Sequence, residues 1–122
     1  MKCQIRTKNE SDAKTSVQDW GTLTWMASAD LTGSAITVGR VVIHPGQSNP
    51  RHCHDNCEEV LYLLRGQLTH SFADQSVEMV AGDTLVVPAG VMHNAVNTGT
   101  TDADMIVSYS SGNRDFRKEM KA

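Results

Sequence analysis

No apolar run in this 122-residue chain is long enough to cross a bilayer, and its polar start, "MKCQIRTKNESDAKTSVQDW", has no apolar stretch of secretory type. From these two absences we expect a cytoplasmic protein without a membrane partner. Positive charge is not in excess either. Eleven Lys and Arg face 14 Asp and Glu, and a net charge of −3 has the wrong sign for a nucleic-acid footprint. Cysteine is scarce and odd in number (Cys3, Cys53 and Cys57), which argues against a disulfide framework. Internal repeats and low-complexity tracts are missing, and the length suits one domain that buries roughly two-thirds of its unfolded surface.

What is present reads as an all-β protein. Residues 1–18 are polar and aperiodic, and the reading assigns them to an N-terminal arm, mobile or ordered on a partner subunit, ahead of a domain over 19–122. From Trp20 onward, short β-branched runs alternate with Gly, Pro and Asn. The pattern predicts strands over 22–28, 34–44, 59–65, 67–73, 75–80, 84–88, 93–97 and 104–110. The turns "PGQSNP", "RGQ", "AGD", "PAG" and "NTGTTD" separate them. Many short strands with no helix between them predict a sandwich or barrel. One short C-terminal helix is expected over "NRDFRKEM", with Asn113 as its N-cap.

The stretch "RHCHDNCEEV" (51–60) carries chemistry. On a strand His52 and His54 project from one face with Cα atoms roughly 6.5 Å apart, close enough to share one ion. Cys53 then points the other way as a small buried hydrophobe. Glu59, beside Glu58 at the opening of the next strand, can return a carboxylate toward the same place, and His93, after a Pro/Gly turn, offers a fourth donor. Each of these residues alone is more often loop polarity or a hydrogen-bonded core group. Their joint pattern changes the reading.

The spacing Gly46–His52–His54–Glu59–Gly66, followed by Gly82–Pro88–Gly90–His93–Asn97, resembles the two motifs of the cupin superfamily. All ten fixed positions match, which chance would produce on the order of 10⁻¹² per register. The four-residue spacer selects Glu59 over Glu58. The resemblance implies a double-stranded β-helix, or jelly-roll barrel, with His52, His54, Glu59 and His93 as ligands of one divalent metal ion. It also implies a homodimer, because small single-domain relatives pair through their sheets.

Three imidazoles and a carboxylate suit Fe, Mn, Ni or Co with positions left open, and also Zn. Strand alternation from Glu59 and His93 predicts Leu61, Leu63, Ala95 and Asn97 as pocket lining. Outside the ligands, Arg40 and Tyr62 are the catalytic candidates, and His44, His70 and Tyr109 are further polar residues to place. Met26, Met79, Met92 and Met105 are expected as barrel filler, and Cys57 as the most exposed thiol. The functional expectation is an enzyme acting on a small oxygen-rich or anionic molecule, dioxygenase-type chemistry being favoured. The alternatives are a non-catalytic module for a sugar or organic acid, and a metal-dependent isomerase, lyase or decarboxylase. Fold and ligands are shared among these, so they do not select one.

Overall fold

Residues 6–120 are described by a computed structural model. Eleven strands run Lys14–Gln18 (β1), Gly21–Ala27 (β2), Thr37–Ile43 (β3), His52–Cys53 (β4), Glu59–Arg65 (β5), Gln67–Phe72 (β6), Gln75–Val80 (β7), Thr84–Val87 (β8), His93–Val96 (β9), Ala103–Tyr109 (β10) and Arg117–Lys118 (β11). They form two antiparallel sheets, in the orders β1-β2-β3-β10-β5-β8 and β11-β4-β9-β6-β7. The two sheets face each other as a jelly roll, the architecture expected from the sequence. A single helical turn, Ala29–Thr32 (α1), is capped by the Ser28 hydroxyl, which accepts from the Leu31 N–H at 3.1 Å.

Alternation decides what enters the barrel. Along β3 every second residue from Thr37 to Ile43 is buried, and along β5 Glu59, Leu61 and Leu63 are buried between more exposed neighbours. The chain reverses sharply between β5 and β6 at Gly66, whose φ of +89° and lack of a side chain are both required. A Cβ there would lie 2.7 Å from the Asp102 carbonyl oxygen and 2.9 Å from Ala103 Cα.

One end of the barrel is plugged and the other is open. Ile43, Leu63, Leu68, Met79 and Ala103 are buried at the plugged end, and fully burying each of the large ones is worth about 1.5–3 kcal/mol. At the open end Leu61, Val41, Ala95 and Met105 form the floor of a pocket.

Two segments depart from expectation. Lys14–Gln18, read as part of an arm, is edge strand β1 and pairs with β2 from Lys14↔Trp25 to Gln18↔Gly21. Residues 1–5 of that segment, Cys3 among them, lie outside the described residues. The C-terminal segment contains no helix among its described residues. Arg117–Lys118 instead pairs with β4. Its contacts are all lateral: Phe116 stacks on His52, Arg117 pairs with Asp55 at 2.9 Å, and the Glu119 N–H donates to the Arg51 carbonyl at 3.0 Å. These tertiary contacts override a weak helical propensity that offers no apolar stripe to bury.

Candidate metal centre and its pocket

Both sheets contribute to the centre. His52 on β4 lies directly opposite His93 on β9, His54 follows β4, and Glu59 opens β5 in the facing sheet. All four are buried, and one donor atom from each lies within 4.8 Å of the others.

The outer ring nitrogens are held by backbone. Nδ1 of His52 sits 2.6 Å from the Pro50 carbonyl, that of His93 lies 2.9 Å from the Val91 carbonyl, and that of His54 meets the Asp115 carbonyl. A carbonyl only accepts, so each Nδ1 carries the proton and each Nε2 presents a lone pair to the interior. This backbone support is the arrangement that orients imidazole toward a metal.

The Nε2 atoms then pose a problem that an ion would solve. His93 Nε2 lies 3.1 Å from Glu59 Oε1, and with Nδ1 already donating, that contact needs a further proton, on the ring or on the carboxyl. His54 Nε2 is buried 3.5 Å from the same oxygen and makes no hydrogen bond. A divalent cation in place of those protons satisfies all four donors at once, so the residues fit a metal.

The ionisation tendencies agree. Burial opposes the charge on Glu59, but the close approach of the His54 and His93 imidazoles outweighs it and holds the carboxyl below its usual range. Burial likewise works against His93, yet its hydrogen bond to Glu59 wins and raises it. His52, with burial dominant, is pushed down to about 4.

The donors sit at the bottom of an open cavity of about 300 Å³. Of the four residues expected to line it, Leu61 and Ala95 do so. Leu63 lies one layer deeper, in the plugged end, where Gly82 and Asp83 bond its backbone. Asn97 closes a turn instead, its Nδ2 donating to the Ile43 and Thr101 carbonyls and its Oδ1 accepting from the Gly99 N–H.

Neither catalytic candidate reaches the cavity. Arg40 points outward from β3 and makes a two-point pair with Asp104, at 2.9 and 2.6 Å, with Glu10 beside it. Tyr62 is exposed on the outer face of β5, one residue out of phase with the inward positions. His44 pairs with Asp102 at 3.0 Å on the surface.

Cys57, expected to be the most exposed thiol, is buried in the core, and Cys53 is buried too, as expected. Of the methionines, Met79 and Met105 are buried and Met26 and Met92 half-buried.

Other side chains do reach the cavity. His70 on β6 is 1% exposed and stacks on His93 with ring centroids 5.5 Å apart, and neither of its ring nitrogens has a hydrogen-bond partner among the described residues. Tyr109 lies edge-on to His54 at 4.9 Å, and burial raises its phenol well above the ordinary value. Trp25, Arg114 and Phe116 complete the wall and were not anticipated. The one available signal was the scarcity of aromatics: two Trp, two Tyr and two Phe in the chain, of which Trp20, Trp25, Tyr109 and Phe116 line this cavity.

A jelly roll with three imidazoles and a carboxylate converging between its sheets defines a β-barrel protein with a metal-type site. Residues 39–109 match the cupin domain family, and the chain belongs to it. It is 38% identical over 86 residues to germin-like protein 3-5 of Oryza sativa subsp. japonica, covering 64% of this chain and 38% of that protein. It is also 31% identical over 110 residues to oxalate oxidase 1 of Hordeum vulgare, covering 81% of this chain and 55% of the relative. Among solved structures, a recombinant oxalate oxidase in complex with glycolate superimposes with a TM-score of 0.73 at 26% identity, over 91% of this chain and 58% of that one. The chain thus spans little more than half the length of these relatives at most.

Proposed function

We propose that this chain is a metal-dependent enzyme acting on a small organic acid by oxidative chemistry. The observation that carries the reading is the set of three backbone-braced imidazoles and Glu59 at the floor of a cavity open to solvent. The charge around the cavity supports an acidic substrate. Among the described residues Glu59 is the one carboxylate in the lining, against Arg114 and Lys118, and a divalent ion would leave the floor net positive. The relatives named oxalate oxidase, and the glycolate bound to one of them, belong to the same chemical class.

His52, His54, Glu59 and His93 would hold the ion. When bound, it supplies Lewis acidity toward a substrate oxygen and, where it is Mn or Fe, one-electron chemistry. The chain's own residues do the rest. The backbone carbonyls fix the imidazole tautomers, and Leu61, Ala95 and Met105 exclude bulk water from the floor. His70 offers its unsatisfied ring N–H to whatever polar group enters.

Elemental analysis of tag-free protein, paired with oxygen uptake and CO₂ release after loading with Fe(II) or Mn(II), tests this reading. We expect one ion per chain and acid-dependent O₂ consumption. CO₂ release without O₂ consumption would replace oxidation by decarboxylation. Changing His52 and His54 together to Ala removes half the donors and should abolish stoichiometric loading. Unchanged metal content would sink the ligand set.

A further inference from the structure

Arg114 is placed unlike the other arginines around it. Arg40, Arg51 and Arg117 each pair with a carboxylate, Asp104, Glu119 and Asp55 in turn. Arg114 makes no hydrogen bond or ion pair among the described residues. Its guanidinium carbon instead lies 4.1 Å over the Trp25 ring and 5.2 Å from the centre of Tyr109. Stacking engages the flat face of a guanidinium and leaves its N–H edge free, and that edge matches a carboxylate with two parallel hydrogen bonds.

The guanidinium is also close to the donors. Tyr109 beneath it is in edge contact with His54, so one aromatic ring separates the cation from the metal-type centre. The cavity wall also carries the apolar side chains of Trp20, Leu23 and Val107, beside the polar Gln18 and Asn49. At about 30 Å³ per water-sized group, the cavity of about 300 Å³ has room for on the order of ten such groups. Oxalate has six non-hydrogen atoms and no apolar surface to set against this wall.

We propose that Arg114 anchors the carboxylate of an acid with an apolar or aromatic body, and that this acid is larger than the dicarboxylate named for the relatives. The assignment rests on the small-acid reading above and narrows its substrate class. Trp25 and Tyr109 hold the guanidinium ready, so little side-chain freedom is lost when the acid binds. The apolar body covers the wall, and the acid's other end faces the imidazoles.

The test compares phenylacetate with phenylacetamide, an uncharged analogue of nearly the same shape. Binding is followed by fluorescence of the protein's two tryptophans, both in the cavity wall, with and without Mn(II). Metal-free wild type isolates the arginine from the ion. There the acid should bind about 10- to 100-fold more tightly than the amide, the range for a charge-assisted hydrogen-bonded pair. R114Q should lose that preference by weakening the acid far more than the amide, whose remaining affinity shows an intact cavity, and R114K should keep part of it. An undiminished preference in R114Q, or one that appears only with Mn(II), overturns the role of Arg114 and leaves the small-acid reading standing. A Mn(II)-loaded wild type that binds neither phenylacetate nor oxalate overturns both.

Discussion

Arg40 and Arg114 show how much a side chain's partner decides its role. Arg40 interrupts an apolar run on β3, which marks it as unusual, and the structure accounts for it by Asp104, a carboxylate only 8% exposed on the neighbouring strand β10. Two hydrogen bonds hold the pair together. Changing Arg40 to Ala would leave Asp104 buried without its counter-charge. Because the arginine is itself 38% exposed, water recovers part of the loss, and we expect destabilisation of about 1–3 kcal/mol. Urea unfolding measures that figure, while metal content and acid binding should stay at wild-type values. A variant with normal stability and impaired acid binding would return Arg40 to the site.

At the scale of elements, strands and donors were legible for a shared reason. Side-chain period, turn chemistry and motif spacing are local properties, so Glu59–Arg65 and Gln75–Val80 fall where the pattern puts them. The rest of the cavity wall was not legible because it is assembled from distant segments. Trp25 comes from β2, Tyr109 from β10 and Arg114 from the connection to β11, and no spacing rule links them. Cys57 misled for a similar reason: it sits in a loop by sequence, yet that loop folds under the Asp115 segment and buries it.

Gly39 joins two of these elements. It lies opposite Trp25 in the β2–β3 register, and a Cβ on it would come within 2.6 Å of the Trp25 ring. Changing Gly39 to Ala must therefore push the ring from its place beneath Arg114. Overpacking of this kind costs about 1–3 kcal/mol, and here it should also change the tryptophan emission and weaken acid binding. An unaltered emission spectrum would show that the ring has room to yield, and would remove the close packing of Gly39 as the reason for its position.

For the whole molecule, the buried histidines make stability depend on pH and metal together. Burial lowers His52 and His70 from an ordinary value of 6.5 to about 4 in the fold, so between those values the unfolded chain binds protons that the folded chain refuses. Their contribution is present above pH 6.5 and is lost as pH falls toward 4, each group weighing up to about 1.4 kcal/mol per pH unit in that window. Glu59, held low, adds stability above its ordinary value of 4.5 that is lost below it. His93 acts in the other direction: its raised value gives a contribution complete below 6.5 and lost as pH rises through the folded value.

Metal-free protein should therefore melt at steadily lower temperature from pH 6.5 to 4.5. Changing His70 to Leu leaves the four donors in place and removes one of the two histidine contributions, so the slope over that window should fall by about half. Excess Mn(II) should raise the melting temperature at pH 7, by about 2.7 kcal/mol of stabilisation at 100 times its Kd, and the gain should shrink toward pH 5 as protons compete for the imidazoles. A melting temperature flat from pH 7 to 4.5 would mean that water reaches His52 and His70 freely, and the enclosed metal centre would lose its physical basis.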